Sequence, residues 1–131
     1  MAIETPHAGP LGILLVAGTH DRAHYAFMLA AGAAALGRRV VLFATNAGCR
    51  ALLADWSGLD DAARDARVTA HGVAGFATLR DAALELGVRL IACAAGLRAE
   101  AIDPAGLLPQ VEIAGLATFL EAVGNGQVIS L

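Results

Sequence analysis

Charge is scarce in this sequence. Only 16% of its 131 residues are Asp, Glu, Lys or Arg, where an average domain carries about 25%. A chain with so little charge to spread over its surface is expected to bury apolar area between subunits, as a homo-oligomer does. The charges present sum to −3, with both signs interspersed, which leaves no electrostatic reason to expect nucleic acid as a partner. Cysteine is also scarce, at two residues. Without an export signal, two cysteines point to a reducing compartment where any disulfide is transient or catalytic. Met1 to Pro10 lacks the basic start and apolar run of a signal peptide, so the cytoplasm is the expected location. The uncharged stretch Ala23 to Gly37 is too short and too alanine-rich for a membrane span, and no stable membrane insertion is expected. No internal repeat, linker or low-complexity segment interrupts the chain. Residues 1–10 read as a loose tail and 11–131 as one domain, long enough for a substantial core.

What is present is an alternation of apolar runs and helical segments. Leu11 to Ala17 is a continuous apolar run of the kind expected of a strand covered on both faces. Thr19 is positioned as the N-cap of a helix from about residue 20 to Leu36, with Asp21 in its first turn and Gly37 as its stop. Ala23, Phe27, Ala30 and Ala34 form its expected inner face. Tyr25, Met28, Leu29 and Gly32 leave the other side nearly as apolar, which makes this helix the first candidate for a subunit interface. Arg38 to Thr45 reads as a second strand, followed by the turn Asn46-Ala47-Gly48-Cys49 and a short helix through Ala54. The polar stretch Trp56 to Arg67 reads as a surface loop with one or two helical turns, its Asp60–Arg67 charges a solvated face. A helix is expected over Phe76 to Leu86, with Leu79, Ala83 and Leu86 inward, then a strand over Gly87 to Cys93. Asp103-Pro104 opens a short turn that Pro109 closes. A brief strand at Val111 to Ile113, a helix from Gly115 to Val123 burying Leu116, Phe119 and Leu120, and a last strand from Gln127 to Leu131 complete the pattern. This order predicts an α/β fold, a three-layer α/β/α sandwich around a mainly parallel five-stranded sheet of flavodoxin/Rossmann-like type.

Cys93 is the residue with the most chemistry to offer. It ends a buried strand and is followed by the small residues Ala94, Ala95 and Gly96, and ligands of open α/β sheets bind beyond the carboxyl ends of strands. Amides or a helix start aimed at the sulfur would hold it as a thiolate, the reactive form, with Arg98 the nearest basic residue. The plainer reading is a small packed thiol. Cys49 occupies a helix-start position that also lowers a thiol pKa. If the second and third strands flank the first, the two sulfurs lie roughly 10 Å apart, beyond disulfide reach, so two free thiols are expected. The same arrangement would make the first and third strands neighbours and bring His20 near Cys93, to orient or deprotonate it. His20 and His24 have the i, i+4 spacing of a metal clamp, but the sequence offers no third ligand, and neither metal nor cofactor is expected. Gly18-Thr19-His20-Asp21 lies where a phosphate would bind, without the glycines or hydroxyls of a phosphate cradle and with an acid that would repel an anion. A non-catalytic alternative uses Thr19, Asn46 and Cys93 as the walls of a small-ligand crevice. Another makes the chain a structural subunit supporting a catalytic paralogue.

The order of these pieces resembles the DsrE/DsrF-like family of small sulfur-relay proteins, which is related to the TusD-type sulfurtransferase subunits. The resemblance rests on the apolar first helix closed by Leu36-Gly37, the Val40–Phe43 strand, the run Glu85 to Cys93, and Val111 to Leu120. It is nearest to the peroxiredoxin-like DsrE branch, in which a cysteine ends the third strand. It implies a three-layer sandwich, assembly into trimers or hexamers, exchange of sulfur with donor or acceptor proteins, and a persulfide-carrying cysteine at Cys93. Ala94 to Arg98 departs from the Ser- and Met-containing segment of related members. Thr19, His20, Asn46, Cys49 and Gly96 are the residues expected to line the site around that sulfur.

Overall fold

The computed structural model describes residues 9–131; most of the expected tail, residues 1–8, lies outside the described residues. Five strands, β1 (Leu11–Leu15), β2 (Val40–Ala44), β3 (Arg89–Cys93), β4 (Glu112–Ala114) and β5 (Gln127–Ser130), alternate with helices. The helices are α1 (His20–Ala35), α2 (Arg64–Ala70), α3 (Phe76–Glu85), α4 (Ala94–Ala99) and α5 (Leu116–Val123), with 3-10 turns at Asn46–Leu52 and Pro104–Gly106. All strand pairs are parallel and the order across the sheet is β4-β3-β2-β1-β5. The chain therefore steps outward one strand at a time from β1 to β4, then returns to place β5 on the far side of β1. β2, not β1, is the neighbour of β3. That corrects the expected adjacency of the first and third strands.

Strand apolarity on both faces has a direct cause here, since helices cover both sides. One face presents Leu11, Ile13, Leu15, Val40, Leu42, Ala44, Leu90 and Ala92 to a core shared with Ala23, Ala26, Phe27 and Ala30 of α1 and with Phe76 and Ala83 of α3. The other presents Val41, Phe43, Ile91 and Cys93 to Phe119 and Val123 of α5. Helix α5 lies so close to β1 that a Cβ on Gly12 would come within 2.4 Å of Val123 Cγ2 and 2.9 Å of Phe119 Cζ. Phe119 stacks on Phe43 with ring centroids 5.1 Å apart, and burying one such ring contributes about 1.5–3 kcal/mol. Gly37 and Gly87, at φ +88° and +85°, end α1 and α3 in the left-handed conformation that glycine adopts without strain.

Several boundaries and orientations differ from expectation. β1 and β2 are shorter, and the helix expected to run on from Cys49 is a 3-10 turn. Leu116 and Leu120 of α5 are each 53% exposed, and Leu86 is also exposed. Helix α5 is apolar around most of its circumference and can bury only the side that meets the sheet. Trp56 to Arg67 carries the helical turn expected of it, where α2 begins at Arg64, but it is more than a solvated face: Leu59 is buried and Thr19 forms a bridge with Asp60. Among the described residues no helix is long and apolar enough to cross a membrane.

Candidate functional site around Cys93

The first two strand ends and the start of α4 are drawn together by backbone contact. Gly48 follows β2 and packs on the end of β1, where an added Cβ would meet Leu15 O at 2.3 Å. Gly96, in the first turn of α4, packs on the start of the 3-10 turn; its Cβ would lie 2.5 Å from Asn46 N and 2.6 Å from Thr45 Oγ1. Only glycine permits such approaches. Salt bridging between Arg50 and Glu100 at 3.2 Å joins the same two segments at their other ends.

Cys93 is the N-cap of α4, and its sulfur accepts the Gly96 N–H at 3.3 Å. Ala44 of β2 is in register with Ala92 of β3. One residue further, Thr45 and Cys93 turn to the same side of the sheet, which brings the Thr45 hydroxyl to the sulfur. The residue is buried, at 8% exposure. Burial opposes the thiolate, but the Thr45 hydroxyl, the Gly96 and Ala95 amides and the charge of Arg98 together outweigh it, and the Cys93 pKa lies below its ordinary value. At six residues, α4 is short, and these local donors carry the effect. The sulfur is thus apolar on one side, against Phe43, Ile91 and Phe119, and polar on the other. Asn46 and Ala95, beside the polar side, are exposed.

Cys49 is fully buried, and its thiol donates to Ala44 O at 3.4 Å. Burial pushes its pKa up to about 11, against the favourable backbone N–H of Cys93. The low pKa expected from its place at a helix start is thereby corrected: the 3-10 turn aims no set of free amides at this sulfur, and desolvation dominates. Both cysteines are free. They follow adjacent strands rather than strands two spacings apart, and the Cys49 sulfur lies beside the backbone of Cys93.

Thr19 and His20 belong to a different neighbourhood. The Thr19 hydroxyl donates to Asp21 Oδ1 at 2.6 Å instead of capping α1. His20 is fully buried on the α1 side of the sheet, opposite the face that carries Cys93. Its Nε2 meets Asp65 Oδ1 at 2.8 Å, its Nδ1 faces Arg64 Nη1 at 3.3 Å, and its ring stacks on His24 at 5.3 Å. Because Arg64 can only donate, Nδ1 accepts and Nε2–H donates to Asp65. His24 Nε2 bonds Ala74 O at 2.8 Å. Among the described residues no three His, Cys, Asp or Glu side chains are grouped to hold a metal ion. Of the residues expected around the sulfur, the structure gathers Cys93, Gly96 and Asn46, sets Cys49 behind the Cys93 backbone in the core on the α1 side, and removes Thr19 and His20. It adds Thr45, which the sequence signals only by its place just past the end of β2, beside the Cys93 that ends β3.

Grooves among the described residues lie elsewhere. One of about 420 Å³ is lined by Arg39, Val41, Arg89 and Ala122 at the amino ends of the strands. Another, of about 350 Å³, lies beside it along Gly87 to Leu90 and Glu112. A third, of about 330 Å³, runs between α1 and β5, lined by Tyr25, Met28, Leu29, Leu36 and Ile129.

The chain is similar in fold to the YchN protein of E. coli, with a TM-score of 0.71 at 12% identity over 94% of this chain and 99% of that one. It is also similar to MTH1491, a protein of unknown function from Methanobacterium thermoautotrophicum, with a TM-score of 0.57 at 18% identity and the same coverage of 94% and 99%. No curated protein matches it. The family model of the DsrE/DsrF-like family matches residues 12–131, nearly the whole sheet and all five helices, and the chain belongs to that family.

Proposed function

We propose that this protein is a sulfur carrier, a sulfurtransferase of the relay type, in which Cys93 accepts sulfane sulfur and passes it on. The reading rests on one observation above the others: Cys93 caps α4 with its sulfur accepting the Gly96 N–H at 3.3 Å, an arrangement that, with the nearby Thr45 hydroxyl, favours its thiolate. In the forward step the thiolate attacks the outer sulfur of a donor persulfide, the donor S–S bond breaks, and the donor leaves as a thiolate. Cys93 then holds a persulfide. An acceptor thiolate attacks that outer sulfur, and Cys93 departs again as the thiolate its hydrogen bonds stabilise. No electrons are gained or lost overall. Donor and acceptor are thiol-bearing partners, and the exposed Asn46 and Ala95 form the approach.

The carrier works as a homo-oligomer, a trimer or hexamer, assembled through the outer side of α1. The groove along Tyr25, Met28, Leu29 and Leu36, with Leu36 85% exposed, supports this, as does the low charge of the chain. Intact mass after incubation with a persulfide donor tests the relay. The parent and Cys49→Ala should each gain the mass of one sulfur atom, and Cys93→Ala should gain none. An adduct that persists in Cys93→Ala would move the activity to Cys49.

A further inference from the structure

Arg80 of α3 is 5% exposed, and no carboxylate hydrogen-bonds to it among the described residues. A buried guanidinium is costly to desolvate unless its N–H groups are satisfied. Here Nη1 donates to Ala51 O at 2.9 Å and Leu53 O at 2.6 Å, and Nη2 to Ala54 O at 3.4 Å. The cation lies over the Phe76 ring, 5.3 Å from its centroid, and Nε has no partner. All three carbonyls belong to the end of the 3-10 turn Asn46–Leu52 or the residues just after it. The opposite end of that turn begins at Thr45 and Asn46, against which Gly96 and the Cys93 N-cap are seated.

We propose that Arg80 is a positioning residue for Cys93: by gripping Ala51, Leu53 and Ala54 it fixes the turn whose leading residues, Thr45 and Asn46, set the hydroxyl and the Gly96 amide against the sulfur. This deepens the sulfur-carrier reading and rests on it. Arg80 acts through the backbone rather than through its charge. The groups that act on the Cys93 sulfur are the Thr45 hydroxyl, the Ala95 and Gly96 amides and Arg98; the Cys49 thiol lies beside the Cys93 backbone, in the core on the α1 side of the sheet. The charged group that acts on Arg80 is Asp81. A planar fork that reaches three carbonyls is specific to arginine; lysine offers a compact ammonium with a different reach.

The test is peptide-resolved alkylation of Cys93 by iodoacetamide across pH in the full-length protein, as parent, Arg80→Met and Arg80→Lys. In Arg80→Met the limiting rate at high pH should match the parent while the midpoint moves up by about one pH unit, a roughly tenfold slower reaction at neutral pH. Arg80→Lys should fall between. Loss of stability alone would leave the midpoint of the folded protein where it was. A folded Arg80→Met with the parent midpoint therefore overturns the proposal. If Arg80→Met does not fold, Arg80→Lys decides by itself: an intermediate midpoint supports the clamp and the parent midpoint overturns it. If Cys93 of the parent stays unlabelled until denaturation, the sulfur-carrier reading fails, and amide exchange then judges the clamp. Exchange at Thr45 to Gly48 and at Gly96 accelerated about tenfold in Arg80→Lys supports it, and unchanged exchange overturns it.

Discussion

Gly96 is seated on Thr45 with no room for a side chain: a Cβ would stand 2.6 Å from Thr45 Oγ1, 3.0 Å from its Cα and 2.5 Å from Asn46 N. Two effects compete in Gly96→Ala. Alanine gains up to about 1 kcal/mol of helix propensity over glycine, while forcing a methyl into a packed site costs about 1–3 kcal/mol. The obstacle is backbone, which yields less readily than a side-chain tip, so the second effect wins. Gly96→Ala is expected to lower stability by about 1–2 kcal/mol in denaturant unfolding. It should also move the Gly96 amide off the Cys93 sulfur and slow alkylation at neutral pH. A variant as stable and as reactive as the parent would show that α4 can shift without consequence.

The two thiols should titrate on opposite sides of their common reference of 9.0, Cys93 below it and Cys49 at about 11. Thiolate absorbance of the folded protein should rise in two steps. Cys93→Ala should remove the earlier step and Cys49→Ala the later, and Thr45→Val should move the earlier step upward. The linkage signs differ as well. For Cys93, whose folded pKa is depressed, the stabilising contribution is full above the unfolded value and fades as pH falls through the folded one. For Cys49, whose folded pKa is raised, it is full below the unfolded value and is lost as pH climbs toward 11. A single step near 9 would contradict both assignments.

How much of this was legible beforehand differs from residue to residue, for physical reasons. The strand cores announced themselves because parallel strands covered on both faces are continuous apolar runs, and Cys93 could be set at a strand end by its flanking small residues. Strand order was not legible, since β1, β2 and β3 are all apolar on both faces and nothing in their composition ranks them as neighbours. Misplacing β2 sent His20 toward Cys93 and parted the two sulfurs. Thr45 was missed for the same reason, because its partner lies on the strand whose adjacency was misread. The partner of His20, Asp65, is 45 residues away, in a polar stretch that periodicity reads as surface. Periodicity also cannot choose the buried side of α5, where Leu116 and Leu120 are as apolar as Phe119.

Asp65 carries a second structural prediction. One oxygen, Oδ1, accepts from His20 Nε2–H and from the Phe76 amide, both at 2.8 Å. Burial opposes its charge, but those two hydrogen bonds and the nearby histidines hold the Asp65 pKa below 3.8. Asp65→Ala leaves the fully buried His20 without a partner for Nε2 and should cost about 1–3 kcal/mol. The contribution should be complete above the unfolded carboxyl pKa and disappear as pH falls through the depressed folded value. Parallel unfolding curves for the parent and Asp65→Ala between pH 7 and acid check both size and sign.

The last prediction concerns the outer side of α1. Tyr25 is 52% exposed and Leu36 85% exposed, and among the described residues nothing beyond its own helix backbone and its two chain neighbours lies within 4 Å of a Cβ built on Gly32 between them. Large apolar side chains with open space around a glycine are what a partner helix or sheet edge would fill. A carboxylate in the middle of such a contact is buried without a partner on association yet stays solvated in the free subunit, so it should weaken assembly and spare the fold. On the proposed trimer or hexamer, Tyr25→Glu is accordingly expected to sediment as a monomer at concentrations where the parent assembles, with an unchanged far-ultraviolet spectrum. If Tyr25→Glu assembles like the parent while Leu120→Glu does not, the contact belongs to the exposed side of α5, and the oligomer closes over the face of the sheet that carries Cys93.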